Sequence, residues 1–148
     1  MAHLQLNEIN AWDAIFKELS HPEKMAKEAV NEAVQILESS TRQAVKASSN
    51  SDRLAQSFSR TPAKENDLGV YSVVRPAGDF NDDLTNEDLA AQFEHGRHGG
   101  YKRAGKKRAA TAMEAKPWRQ NAINAARAQC EATVERVVYE AVDKVTGG

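Results

Sequence analysis

The chain is poor in the residues that usually announce chemistry. It has one cysteine, Cys130, so no disulfide can form within the chain, and a reducing compartment fits. Aromatics make up 6% of the 148 residues, which leaves Ala, Val, Leu and Ile to build most of a core. No apolar run approaches the ~18 residues that a membrane span requires, so no membrane partner is expected. The N-terminal segment lacks a basic stretch followed by an apolar one, and no signal peptide is expected. There is no Gly-rich phosphate loop, no nucleophile elbow and no paired Cys-x-x-Cys, so no cofactor and no catalytic residue is assigned. The formal net charge of −1 excludes a global pull toward nucleic acid or acidic membranes. What is present is an ordinary balance, 41% hydrophobic and 28% charged, at a length that suits a single domain over 1–148.

Two segments carry strong helical periodicity. Ser20-His-Pro-Glu23 has the spacing of a capping box, with Pro22 tolerated in the first turn. From Pro22 to about Ala47, Ala26, Val30, Ala33, Leu37, Thr41 and Ala44 recur in steps of four and three. At 1.5 Å per residue such a helix runs roughly 40 Å. That is longer than a small sheet can cover, so part of its face is expected to meet another subunit. The second helix is predicted from Pro117 to about Val145. Its stripe is Trp118, Ala122, Ile123, Ala126, Cys130, Val134, Val137, Val138, Ala141 and Val145. Cys130 on that stripe reads as a small buried hydrophobe. A short strand at 3–6 and a helix to about Leu19, with Ile9, Trp12, Ile15, Phe16 and Leu19 on one face, are expected to precede both.

The middle of the chain reads as strands and turns. Ser48-Ser-Asn-Ser51 breaks the first helix with small polar residues. Residues 61–67 read as a turn, and Leu68 to Arg75 is the best strand, being β-branched and aromatic. Asn81 to Asp88 reads as an acidic irregular loop. Leu89 to Glu94 fits either a strand or a short helical turn, and periodicity does not decide between them. The fold class expected is α+β, with long N-terminal and C-terminal helices packed on a small antiparallel sheet.

Charge is unevenly placed. Arg97, Lys102, Arg103, Lys106, Lys107 and Arg108 crowd into one Gly-containing stretch. Such a cluster can contact phosphate backbones without reading sequence, or can be a solvated loop. Glu65, Asp67, Asp79, Asp82, Asp83, Glu87, Asp88 and Glu94 form an acidic counterpart, opposed only by Lys64 and Arg75. This polarity suits contacts between subunits, acidic face to basic face, and is also what ordinary turn chemistry produces. His95 and His98, with Glu94 adjacent, invite a metal hypothesis. Zinc needs three or four ligands in workable positions, and His3, His21 and Cys130 are remote in sequence, so no metal site is assigned.

Several segments together resemble one family. Ser51-Asp52-Arg53-Leu54-Ala55-Gln56-Ser57 keeps the Leu and Ser of a Thr-Gly-x-Leu-x-x-Ser turn and lacks the Thr-Gly pair. Phe93-Glu94-His95-Gly96 matches an apolar segment ending Glu-x-Gly-Thr, with Arg97 in place of the threonine. Met113, Ala115, Pro117 and Trp118 match a Met-x-Ala-x-Pro-aromatic opening of a last helix. In order and spacing these resemble the head–tail joining (neck, or tail-completion) proteins of long-tailed bacteriophages. The resemblance covers the chain nearly end to end. It implies a helix–sheet–helix subunit, with the segment ending at Glu94 in the sheet. It also implies a homo-oligomeric ring, expected as a hexamer, between portal-side connector and tail proteins. Assembly in the host cytoplasm, a place in the virion, and passage of genomic DNA through the ring follow from the same resemblance. The protein would then be structural, not an enzyme.

Two function classes therefore stand. One is the structural neck or tail-completion ring. The other is a small DNA-binding protein using the basic loop 97–108, or a metal-dependent DNA-processing version in which Glu94, His95 and His98 hold a metal, completed by Asp82 or Asp83. Ring formation without DNA, together with the absence of cleavage in magnesium or manganese, separates them.

Overall fold

The structure, a computed structural model, describes residues 22–99 and 112–146. The strand and helix expected before Leu19, and Lys102, Arg103, Lys106, Lys107 and Arg108, lie outside the described residues. The elements run α1 (Pro22–Ser49), α2 (Asp52–Gln56), β1 (Phe58–Arg60), β2 (Lys64–Asn66), β3 (Gly69–Tyr71), β4 (Val74–Pro76), β5 (Asp79–Asn81), β6 (Leu84–Thr85), α3 (Asn86–His95) and α4 (Trp118–Thr146). This is the α+β class the sequence predicts, with two long helices and two-stranded antiparallel sheets.

The long helices form as their periodicity requires. They pair antiparallel: Ser40 Oγ donates to the Ala122 carbonyl at 2.8 Å, Cys130 Sγ to the Ala33 carbonyl at 3.4 Å, and Arg136 pairs with Glu32. Ala29 and Val34 of α1 and Ala122, Ala126 and Val137 of α4 are buried. This contact covers much of the length of α1 that a small sheet leaves bare. Among the described residues, no helix is long and apolar enough to cross a membrane.

The end of α1 has a defined cause. Asn50 takes a left-handed conformation, φ 54°, and its amide closes on the Lys46 carbonyl at 2.8 Å. Asn tolerates that region better than most side chains. Ser51 then caps α2, its hydroxyl accepting from the Leu54 amide at 3.1 Å.

The strands β1 to β4 are one bent hairpin. Phe58 pairs with Pro76 and Arg60 with Val74 in the inner ladder, while Lys64 pairs with Tyr71 and Asn66 with Gly69 in the outer one. The Thr61 amide donates to the Val73 carbonyl at 2.8 Å, so Pro62 and Ala63 together face Ser72 alone. This is a bulge of one extra residue, at the position where Pro62 has no N–H to give. The expected strand at 68–75 is therefore interrupted at Ser72 and Val73. The expected turn at 61–67 shrinks to Asp67-Leu68, where Asn66 Oδ1 accepts from both Leu68 and Gly69 amides at 2.9 and 3.1 Å.

A larger correction concerns residues 79–95. They are a short hairpin, β5–β6, followed by helix α3, where the sequence suggests an irregular loop at 81–88; of the two readings left open for Leu89 to Glu94 the helical one holds, and the place in the sheet implied by the resemblance does not. Thr85 caps α3 by accepting from the Asp88 amide at 3.1 Å. Glu87 and Asp88 sit in the first turn, where the helix dipole favours negative charge. The apolar run Leu89-Ala90 then points inward as a helical face.

Helix α1 holds the hairpin by charge as well as by packing. Arg42 donates twice to the Phe58 carbonyl at 3.0 and 2.8 Å, and Glu38 accepts from the Arg60 amide at 2.7 Å and from its guanidinium at 3.1 Å. Helix α4 reaches the hairpin through its first turn, where Trp118 meets Phe58 edge to face at 5.1 Å. The main core sits there: Val45, Leu54, Ala55, Phe58, Leu89, Ala90 and Trp118, with Val74, Phe80, Leu84 and Phe93 packed around it.

Candidate functional site

The residues singled out by their motifs meet in one place. The turn residues come first. Leu54 is fully buried, and Ser57 Oγ donates to its carbonyl at 2.6 Å, so α2 is closed at both ends by serine hydroxyls. Asp52 pairs with Lys46 at 2.8 Å and holds the lysine pKa above its ordinary value, chiefly through their hydrogen bond.

The Glu94–Gly96 segment ends α3 and starts a crossing. Gly96 has φ 73° and ψ 178°, a region almost closed to other residues. A Cβ at Gly96 would lie 2.7 Å from the Met113 carbonyl oxygen and 2.9 Å from the Ala115 amide nitrogen. The glycine is thus required twice, by its own backbone and by the strand that crosses it. Arg97 follows and exchanges two backbone bonds with Met113, at 2.9 and 3.0 Å. Its guanidinium donates to the Gln92 side chain. Arg97 stands at the base of the basic stretch, tied to the body.

The Met113–Trp118 segment closes the site. The Lys116 amide donates to the Phe93 carbonyl at 2.7 Å, and Lys116 Nζ reaches the Ser48 carbonyl at 3.3 Å, near the end of α1. Ala115 and Pro117 are exposed, and the Pro117 carbonyl accepts the first bond of α4 from Asn121 at 3.1 Å. The helix starts at Trp118, one residue after the predicted position. Trp118 is buried and Nε1 donates to the Ala90 carbonyl at 2.8 Å. Glu94 then reaches across to the same turn, Oε2 accepting from the Arg119 amide at 3.0 Å. A carboxylate at a helix N-terminus satisfies an orphan donor and sits at the positive end of the dipole. Glu94, read in sequence beside two histidines as a possible ligand, is placed here as the cap of α4.

His95 and His98 are exposed. Among the described residues no group of three or more His, Cys, Asp and Glu stands close enough to hold a metal ion. The site is a clamp: it holds Gly99 beside Ala112, a Cβ on Gly99 standing 3.1 Å from the Ala112 nitrogen. Its chemistry is that of a framework, with hydrogen bonds to backbone and one indole in the core.

Beside the clamp lies a groove of about 470 Å³ between α1, β4, α3 and the start of α4. Its floor includes Leu37, Val74, Trp118 and Ile123, and its rim carries Arg75, Arg119 and Glu87. No motif pointed to it, since its lining comes from four separate elements. No family model, curated protein or solved structure matches the chain.

Proposed function

We propose that this chain is a structural virion protein that forms a ring at the head–tail junction, as a neck or tail-completion subunit through which the genome passes. The observation that carries the reading is the convergence of all three motif segments. Leu54 and Ser57, Phe93 to Gly96, and Met113 to Trp118 lie up to 64 residues apart in sequence and build one clamp. Residues that depend on one another in this way support a shared architecture rather than three chance matches. The helix–sheet–helix order agrees with it.

The surface supports the same reading. Leu68, Tyr71, Val73, Val134 and Tyr139 are exposed large apolar residues, material for contacts between copies. The five basic residues at 102–108 follow directly on the clamp in sequence. In a ring each subunit would bring the same charges to one radius, and a lumen so lined would hold DNA by charge alone. The partners are then other copies of the chain, the adjacent connector and tail proteins, and passing DNA.

The test is electron microscopy of the purified full chain, paired with incubation of supercoiled DNA in magnesium or manganese. Closed rings without DNA, and no cleavage, are expected. Cleavage that requires the metal, with no rings at any concentration, would replace this reading with the DNA-processing one.

A further inference from the structure

The β2–β3 arm ends in a side chain with nothing to cover it. Leu68, in the two-residue turn, is 97% exposed, and every residue of β2 is exposed. A lone exposed leucine is unremarkable. Here it tips a defined arm, held in shape by the Asn66 side chain and by the ladder below. Glu65 and Asp67 flank it, with Lys64 as the single opposing charge.

The groove beside the clamp has the converse character. Its floor is apolar, its rim carries Arg75 and Arg119, and Glu87 is its single opposing charge. The tip of a chain cannot enter its own groove. Leu68 and Val74 belong to one continuous hairpin, and folding the tip back would break both ladders. A tip from another copy meets no such obstacle. Its acids would face Arg75 and Arg119, and its Lys64 would face Glu87.

We propose that the groove between α1, β4, α3 and α4 receives the Leu68 tip of a second copy of this chain. The contact is head-to-tail, since tip and groove are different surfaces of the same subunit. Contacts of this kind close into rings when the rotation between copies allows it. The inference rests on the ring reading for its biological setting and can be tested apart from it.

The test uses the full chain in a Cys130→Ser background. Leu68→Cys in one preparation and Ala91→Cys, on the groove, in another are mixed and oxidised. A disulfide-linked dimer is expected from the mixture, and a ladder of higher species from a chain carrying both cysteines. Leu68→Asp should leave the thermal transition in place, since the residue is solvent-exposed, and weaken self-association roughly 10- to 100-fold, the scale of one leucine returned to water. Asp67→Arg should weaken association as well, and adding Arg75→Asp should restore it. Closed rings with no Leu68–Ala91 cross-link would overturn the docking and leave the ring reading in place. A cross-link without closed rings would keep the docking and remove the ring. A cross-link from Ala91→Cys to Phe16→Cys within one chain would give the groove to residues 1–21 instead and overturn the proposal. No association and no cross-link at high concentration would overturn both.

Discussion

Replacement of Trp118 by alanine should be among the costliest single changes in the described structure. The indole is 6% exposed, meets Phe58 edge to face, and donates to the Ala90 carbonyl. Truncating a buried aromatic residue to alanine costs about 3–5 kcal/mol from transfer and cavity together. The edge-to-face pair adds about 0.5–1.5 kcal/mol beyond area. A total of about 3.5–6.5 kcal/mol is a large share of the roughly 5–15 kcal/mol that holds a domain folded. At about 2–4 °C per kcal/mol for a chain of this size, the midpoint should fall by about 7–26 °C. Trp118→Phe separates the contributions. It keeps an aromatic ring near Phe58 and removes the Nε1 donor, so a loss of about 1–3 kcal/mol is expected, from the hydrogen bond and the smaller ring. Urea unfolding followed by circular dichroism gives both numbers if the slope m is unchanged. A loss below about 1 kcal/mol in Trp118→Ala would refute the placement of this side chain at the junction of α3, α4 and the hairpin.

Three further outcomes are expected. Gly96→Ala should destabilise by about 2 kcal/mol or more, because alanine disfavours this backbone and its Cβ would meet the Met113 carbonyl; a urea midpoint equal to wild type would contradict the crossing. The Cys130 thiol is held above its ordinary pKa, first by burial and then by the neighbouring charge of Glu131, so less thiolate is present at pH 8 than in a free cysteine. Labelling by a disulfide reagent at pH 8 should therefore be slower in the native chain than in urea, and equal rates would place Cys130 in solvent. Neutralising Lys102, Arg103, Lys106, Lys107 and Arg108 together should leave the thermal transition in place and impair virion joining or DNA retention; fully infectious particles would mean these charges are only solvated.

The parts of this structure legible in the sequence are those whose signal is local. Helices α1 and α4 repeat small apolar residues at helical spacing, and their observed ends lie within two residues of the expected ones. Strands β3 and β4 were visible in Val70, Tyr71 and Val74, but β2, which reads as part of a turn, and the bulge were not. The bulge arises because Pro62 cannot continue the ladder, and its effect appears only when the two strands are aligned. Helix α3 had a legible start. Thr85-Asn-Glu-Asp88 before Leu89 is a helix-opening pattern, obscured by the acidic residues around it.

The role of Glu94 lay beyond local reading for a physical reason. Its partner is an amide 25 residues away, brought close by the crossing of Gly96 over Met113. In sequence it stands beside His95, where a metal is weighed and not assigned. In the fold it meets an amide in the first turn of α4, a donor that has no partner within the helix. The same logic separates the clamp from the groove. A clamp residue such as Gly96 or Trp118 answers to other residues of its own chain, so each leaves a mark in sequence. The groove and the Leu68 tip answer to nothing within the described chain. An exposed leucine on a defined turn, opposite in charge pattern to an apolar trough on the same subunit, would gain a role from a second molecule under the proposed docking, and the Leu68–Ala91 cross-link is where measurement should begin.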